Sequence, residues 1–541
     1  MIAVGTALVV LAVSMRYRSW RLATALSLVA LAAVAFMLRD AGRRQKTRTG
    51  HASEGASSTA LAQFESSMPA QEPADGYLSS KACAECHPGQ HDAWHASYHR
   101  KMTQRATPAA VLGDFADKHV ELDGAAYDLS RRGDEFWVKI TFPAAGQAPP
   151  RTIERPVVLT TGSHHMQVYW LPTGSGRTVA ELPICFLRED QRWISRDASF
   201  LKPRRADPNS PGIGRWNAEC IQCHATHGRA RTDPESRDIA SDSLVAEFGI
   251  ACEACHGPGE RHVRFRRGES VEDKIVNPAG LGSQRSAQVC GRCHGITVSR
   301  TRSDVADLLE HGHRFRPGDV LADSLHVVRL DQETRDLFKA NVLPNDQFVD
   351  QAYDMQFWGD GVVRVAGREF NGLVESTCYQ KGEMACVSCH VLHKPAGDPR
   401  PVAEWADDQL KIDALGDKGC TQCHATEKYA ADSHTHHTAS STGSRCYNCH
   451  MPHTTYGLLK AIRSHTIDIP SASASVKVGR PNGCNLCHAD QTLAWTARHL
   501  EEWYSITPPE LDEDHTKIST AVLWALKGDA GQRALAAWHL G

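Results

Sequence analysis

The sequence predicts a mainly α chain with an irregular core organised by a covalently attached cofactor. A small β-rich insertion and the start of a helical repeat at the C-terminal end complete it. Three observations carry this reading. One five-residue pattern recurs eight times between residues 83 and 488. Cysteine and histidine, 18 and 29 of 541 residues, far exceed ordinary usage. Only 41% of residues are hydrophobic and 7% aromatic, so side chains alone leave part of a core unfilled.

The chain opens with its most apolar segment. Residues 1–15 carry no charge, Arg16, Arg18 and Arg21 follow, and LATALSLVALAAVAFML spans 22–38. At about 1.5 Å per residue that run reaches roughly 25 Å, near the lower limit for a bilayer span. No small-residue cleavage pattern follows it, so 1–38 reads as an uncleaved signal anchor. The first apolar run makes either a second membrane helix or a stretch ahead of a true start at Met15. Residues 39–76 are small, polar and without period, as in a flexible tether. With a net charge of −3 the chain shows no footprint of a nucleic-acid partner.

The repeated pattern is Cys-x-x-Cys-His: Cys83, Cys86 and His87; Cys220, Cys223 and His224; Cys252, Cys255 and His256; Cys290, Cys293 and His294; Cys386, Cys389 and His390; Cys420, Cys423 and His424; Cys446, Cys449 and His450; Cys484, Cys487 and His488. Together they use 16 of the 18 cysteines. Two thiols at this spacing add to the two vinyl groups of one haem, and the adjacent imidazole becomes the proximal iron ligand. Structural zinc needs two separated pairs and has no reason to demand a histidine after each. A thioredoxin-like pair would occur once. The sequence therefore implies eight covalently bound c-type haems, each iron with a histidine ligand. Haem is attached in this way outside the bacterial inner membrane, which places everything from about residue 80 on the periplasmic side. The five basic residues between Arg39 and Arg48 point weakly the other way.

Beyond the eight proximal histidines, 21 of the 29 remain for the distal faces. His91, His95 and His99 are spaced i, i+4, i+8 and share one helical face, with His99 favoured as a ligand. His262 follows CEACHGPGER by a turn that Gly257-Pro258-Gly259 allows. His393 and His453 share the spacing CxxCHxxH, and His465 follows a short helix-like run. His165, His313 and one of His434, His436 and His437 complete the candidate set. His51, His499, His515 and His539 read as surface residues. A second imidazole on every iron leaves no site for substrate, so the surplus favours electron transfer over catalysis. No serine triad or carboxylate pair can be assembled, and PTGSGRT (172–178) lacks the spacing and lysine of a phosphate loop.

At CEACHGPGERH, and at CAECH followed by Trp94, Ser97 and His99, the chain resembles the multihaem cytochromes that include the tetrahaem electron carrier of ammonia oxidisers. More distantly it is similar to octahaem tetrathionate reductases and hydroxylamine oxidoreductases. CVSCHVLH and CYNCHMPH resemble the doubled modules of many multihaem proteins. The resemblance spans roughly residues 80–490 and implies distal-ligand roles for His262 and His99. A crosslinked tyrosine marks the catalytic haem in hydroxylamine oxidoreductases, and no residue here matches it.

These readings divide the chain into an anchor (1–38), a linker (39–76), an octahaem domain (77–490) with a β-rich insertion at 118–200, and a helical segment (491–541). Strand-like runs at 135–142, 152–161, 166–172 and 182–187 define the insertion. Cys185 and Cys378, outside the motifs, read as buried thiols. The last helices read as one unit of a repeat, which cannot bury its own face alone. The expected function is a membrane-tethered periplasmic carrier between a membrane electron donor and a periplasmic or outer-membrane acceptor. Two alternatives stand: a reductase or oxidase of a small nitrogen or sulfur compound at one five-coordinate haem, and a cytochrome subunit of a larger respiratory or filament complex.

Overall fold

In the computed structural model the β-rich region begins at Thr103, ahead of residue 118, and runs to Ser195. The structure describes residues 60–541 apart from 145–148, 163, 202–213, 233–240 and 342–345. The expected anchor at 22–38 lies outside the described residues. Among those described, no helix is long and apolar enough to cross a membrane.

Two sheets build the β region, so the fold is mixed α and β and not mainly α. Lys118–Leu122, Ala125–Arg132, Glu135–Phe142 and Arg151–Pro156 pair in sequence order as an antiparallel meander. Its first hairpin turns on Asp123 (φ 53°) and Gly124 (φ 80°), the left-handed pair that a two-residue loop requires. Alternation in AAYDLSRR sends Tyr127 and Leu129 inward, where they meet Ile140 and Val138 across the ladder.

The second sheet orders Arg192–Ser195, Ile184–Leu187, Met166–Pro172, Leu159–Thr161 and Thr103–Arg105, with Val179–Glu181 also on the Met166–Pro172 strand. Met166–Pro172 and Ile184–Leu187 are buried throughout, because both faces are covered. One face puts Tyr169, Leu171, Ile184 and Phe186 against the meander. The other puts Val168, Trp170, Cys185 and Leu187 against Trp216 and Ile221, which belong to the second Cys-x-x-Cys-His segment. The sheet is thus the wall on which that motif rests. Burial pushes the Cys185 thiol up to about 12, so it behaves as a small apolar side chain. Cys378 is half-buried, and burial raises its thiol as well.

Outside the sheets the helices are short and the apolar clusters are small and separate. The two C-terminal helices, Thr520–Lys527 and Ala530–Leu540, turn at Asp529, whose carboxylate caps the second in a capping box with Gln532. Trp524 and Ala536 from this pair close over Leu486 of the eighth motif. Arg364 ties the same turn to the core through Asp529 at 2.5 Å.

Candidate haem centres

Every motif lies on a single helical turn or at the end of a helix. A turn puts cysteines i and i+3 on one face and brings the next residue, histidine, beside them. The backbone bonds that set this up are direct: the amides of His87, His390, His424 and His488 donate to the carbonyls of Cys83, Cys386, Cys420 and Cys484 at 2.9, 2.9, 3.1 and 2.7 Å. The sequence caps several of these turns: Ser79 before the first motif and Asn482 before the eighth accept from backbone amides.

The histidines then meet in pairs across long stretches of chain. Ring centroids of His87 and His262 stand 6.3 Å apart, His99 and His294 6.3 Å, and His256 and His393 6.2 Å. His390 and His465 stand 6.5 Å apart, His434 and His450 6.4 Å, and His437 and His488 6.0 Å. Each of these pairs joins one motif histidine to one histidine from elsewhere. With metal–nitrogen bonds of about 2.0 Å and a ring centre about 1.1 Å behind each nitrogen, two imidazoles that held one iron from opposite sides would have centroids about 6.2 Å apart. The residues fit haem: at six of the motifs two cysteines and two facing imidazoles would hold it.

The ring anchors agree with this. A backbone carbonyl can only accept, so a histidine bonded to one through Nδ1 must carry its proton there and present the Nε2 lone pair. Val276 holds His256 in this way at 2.6 Å, Asp408 holds His390 at 2.9 Å and Asp468 holds His450 at 2.8 Å. Among the partners, Gln90 holds His393 at 3.2 Å, Thr435 holds His437 at 2.7 Å and Arg463 holds His465 at 3.2 Å. Two rings rest on carboxylates instead: His262 on Asp273 at 3.0 Å and His294 on Glu369 at 2.9 Å. His390 and His450 reach carbonyls at the same offset of 18 residues, the local signature of a repeated module.

The structure separates the remaining candidates. His91 and His95 stack on each other at 5.9 Å and His95 stays exposed, while His99 alone reaches a motif histidine. Of the triple, His434 and His437 face motif histidines and His436 stacks on Trp503 at 4.1 Å. His453 stands 5.9 Å from His539 and His165 stacks on His164 at 3.8 Å. His313 lines a recess with Arg292 and Arg316. Among the described residues no imidazole stands across from His224 or His424; Tyr429 flanks His424 edge-on at 5.3 Å. His227 was overlooked in the sequence although CIQCHATH has the same spacing as CVSCHVLH. The carboxylate anchors left no local signal, since Glu369 lies 75 residues from His294.

Burial favours the neutral form at several of these rings, whereas Glu369 overcomes burial at His294 and holds that ring up. Burial holds His99, His224, His165 and His453 down to about 4. Burial likewise pushes the thiols of Cys220, Cys255, Cys420 and Cys484 up to about 12. Beside a sulfur of another motif some thiols are lowered instead, as Cys293 is beside Cys223, Cys83 beside Cys252 and Cys386 beside Cys290. No three His, Cys, Asp or Glu side chains converge as a metal cluster among the described residues. Glu253, inside the third motif, is raised by burial to about 7 while accepting from the amides of Leu78 and Gly259.

Cysteines of different motifs are also neighbours in space. Cys83 lies against Cys252, Cys223 against Cys293, Cys290 against Cys386 and Cys420 against Cys446. Cys255 sits near Cys290 and Cys293, Cys389 near Cys423, and Cys449 near Cys487. Motifs one, three, four, five, six, seven and eight thus form one file, with motif two branching from four.

Helix-turn motifs that pair cysteines with bracketed imidazoles define a multihaem c-type cytochrome, a protein of electron transfer. The family described as cytochrome c554 and c-prime matches residues 198–257, which hold the second and third motifs. Two solved structures align with the chain. The outer cell wall cytochrome OcwA aligns with a TM-score of 0.50 at 17% identity, over 80% of this chain and 87% of its own. An undecahaem cytochrome from the S-layer of Carboxydothermus ferrireducens aligns at 0.37 and 16% identity, over 89% of this chain and 70% of its own. No curated protein matches the chain.

Proposed function

We propose that the chain is a membrane-tethered octahaem electron carrier on the periplasmic side of the inner membrane. It takes electrons from a membrane donor and hands them to a soluble or outer-membrane acceptor protein. The observation that carries the reading is the set of six imidazole pairs at 6.0–6.5 Å. Haem iron supplies a one-electron couple, and an imidazole on each face leaves substrate no place to bind. The chain's own part is positional. Nδ1 anchors fix eight of the twelve paired rings, the cysteine pairs would hold each haem, and neighbouring cysteines of different motifs would bring the haems close.

The test is haem content together with electron paramagnetic resonance of the oxidised holoprotein. Eight haems per chain, at least six of them low-spin, support the carrier; fewer than six low-spin irons sink it. Fractionation of cells expressing the full chain tests the tether, which must bring the haem to the membrane pellet. A second reading rests on His224 and His424, which face no second imidazole among the described residues. High-spin signals from those two motifs, with turnover of a small nitrogen or sulfur compound, would favour a reductase.

A further inference from the structure

A recess away from the imidazole pairs gathers Tyr77, His227, Arg292, His313 and Arg316 around Ala254 of the third motif. Arg292 itself is a spacer residue of the fourth motif, and its Nη2 donates to the carbonyl of Gln222 in the second at 3.0 Å. The recess therefore lies where three attachment segments meet. Its walls are fixed: His227 stacks on Tyr77 at 4.3 Å and 5°, and Asp75 holds His227 Nε2 at 2.7 Å. The Arg316 guanidinium lies 5.5 Å over the Tyr77 ring and spends Nη1 on the carbonyl of His313 at 2.5 Å.

The charges do not balance. Neither Arg292 nor Arg316 forms an ion pair among the described residues, and the carboxylates around them have other partners: Asp75 holds His227, Glu253 accepts from the amides of Leu78 and Gly259, and Asp319 accepts from the backbone amide of Arg316. Arg292 Nε and His313 Nε2 are buried with no protein partner. Two half-buried guanidiniums, only partly satisfied by carbonyls, and a buried unpaired imidazole nitrogen around one recess carry a desolvation cost that an anion would relieve. Guanidinium geometry suits an oxygen pair in particular.

We propose that this recess is an oxyanion seat in which Arg292 and Arg316 hold two oxygens and His313 Nε2 meets a third polar atom. The chemistry is that of a carboxylate or a small inorganic oxyanion such as sulfite or nitrite. Two sources share it: a carboxylate side chain of a haem attached nearby, and an anion from solution. The seat stands whether or not the haems relay electrons, because it is read by binding and by potential and not by electron-transfer rate.

Oxidised holoprotein is titrated calorimetrically with sulfite and with nitrite, as wild type and as Arg316→Gln, Arg292→Gln and His313→Gln. If the anion comes from solution, wild type binds at least one of them and each arginine variant binds at least tenfold more weakly. If a haem carboxylate fills the seat, neither anion binds. Loss of either positive charge then lowers the midpoint potential of one haem in a redox titration. Haem content and the visible spectrum identify variants that fail to fold, and Arg316→Lys, which keeps the charge but not the fork, then replaces Arg316→Gln. The proposal is overturned if no anion binds and no variant moves any potential.

Discussion

Glu369 accepts the Nδ1 proton of His294 at 2.9 Å, while His99 stands 6.3 Å from the same ring on its other side. Burial opposes charge on both partners, yet the pair overcomes it: His294 is held up to about 9 and Glu369 down to about 2. This ring rests on a full negative charge where those of His256, His390 and His450 rest on carbonyls. A carboxylate makes an axial imidazole more basic and a stronger donor to iron, favouring the ferric state.

Glu369→Gln should therefore raise one midpoint potential. A charged hydrogen bond exceeds a neutral one by about 1 kcal/mol, and about 1.4 kcal/mol is near 60 mV for one electron. An upward shift on the order of 40–60 mV in one wave of a redox titration is expected, and no shift at all would remove this account of Glu369.

His393 spans 137 residues of sequence to reach His256. Replacing it with alanine removes one axial nitrogen and leaves the motif intact. Haem content should stay the same while one low-spin signal becomes high-spin in paramagnetic resonance. Unchanged low-spin intensity would show that another residue serves that iron.

Gly249 is the clearest place where backbone conformation reaches the haem. At φ +76° a side chain is strained, and its Cβ would lie 2.2 Å from the carbonyl oxygen of Arg100. The next residue, Ile250, donates its amide to the carbonyl of His99 at 3.0 Å. Gly249→Ala must push away the turn that carries His99, so loss of thermal stability together with a new high-spin signal is expected. Full retention of the His294 low-spin signal would count against it.

Asp398 and Arg400, 1% and 8% exposed, form a two-pronged pair with bonds of 3.1 and 2.7 Å, and Arg400 also holds the carbonyl of Leu410. The Arg400 side chain draws the Asp398 carboxyl from 3.8 to about 2. A carboxyl depressed by folding stabilises the fold above its unfolded value and loses that contribution as pH falls through the folded one. Stability should thus drop between about pH 4 and pH 2, and Asp398→Asn should be less stable at neutral pH with a flatter profile there. Parallel acid profiles for both proteins would contradict this.

Leu182 is fully buried between the two sheets, among Tyr169, Phe186 and Val138. Leu182→Ala should cost about 2–5 kcal/mol by cavity formation. That cluster faces away from the second motif, so thermal unfolding should shift while the visible spectrum of the native state does not.

The motifs were legible because their chemistry is local: five residues, one helical turn, one group. The strands at Glu135–Phe142 and Met166–Pro172 were legible from apolar runs, and the hairpin at Asp123-Gly124 could have been read from turn chemistry alone. The extent of the β region was not, since the Thr103–Arg105 strand is three residues long and is defined by its partner Leu159–Thr161. Axial partners were harder still. His434 and His436 share one short segment, yet only the packing of Trp503 against His436 and the approach of His450 to His434 tell them apart. Anchors such as Glu369 and Asp273 are ordinary acidic residues until the fold delivers a ring to them.

The neighbouring cysteines give the series of motifs a branch point. Cys290 and Cys293 between them adjoin Cys386, Cys223 and Cys255, so the fourth attachment has three neighbours where those at the ends have one. Losing the eighth motif would remove one end of this series, but losing Cys290–His294 would leave the other motifs in three groups without neighbouring cysteines between them. Redundancy is lowest at the centre of this molecule, and tolerance to substitution should rise toward its ends.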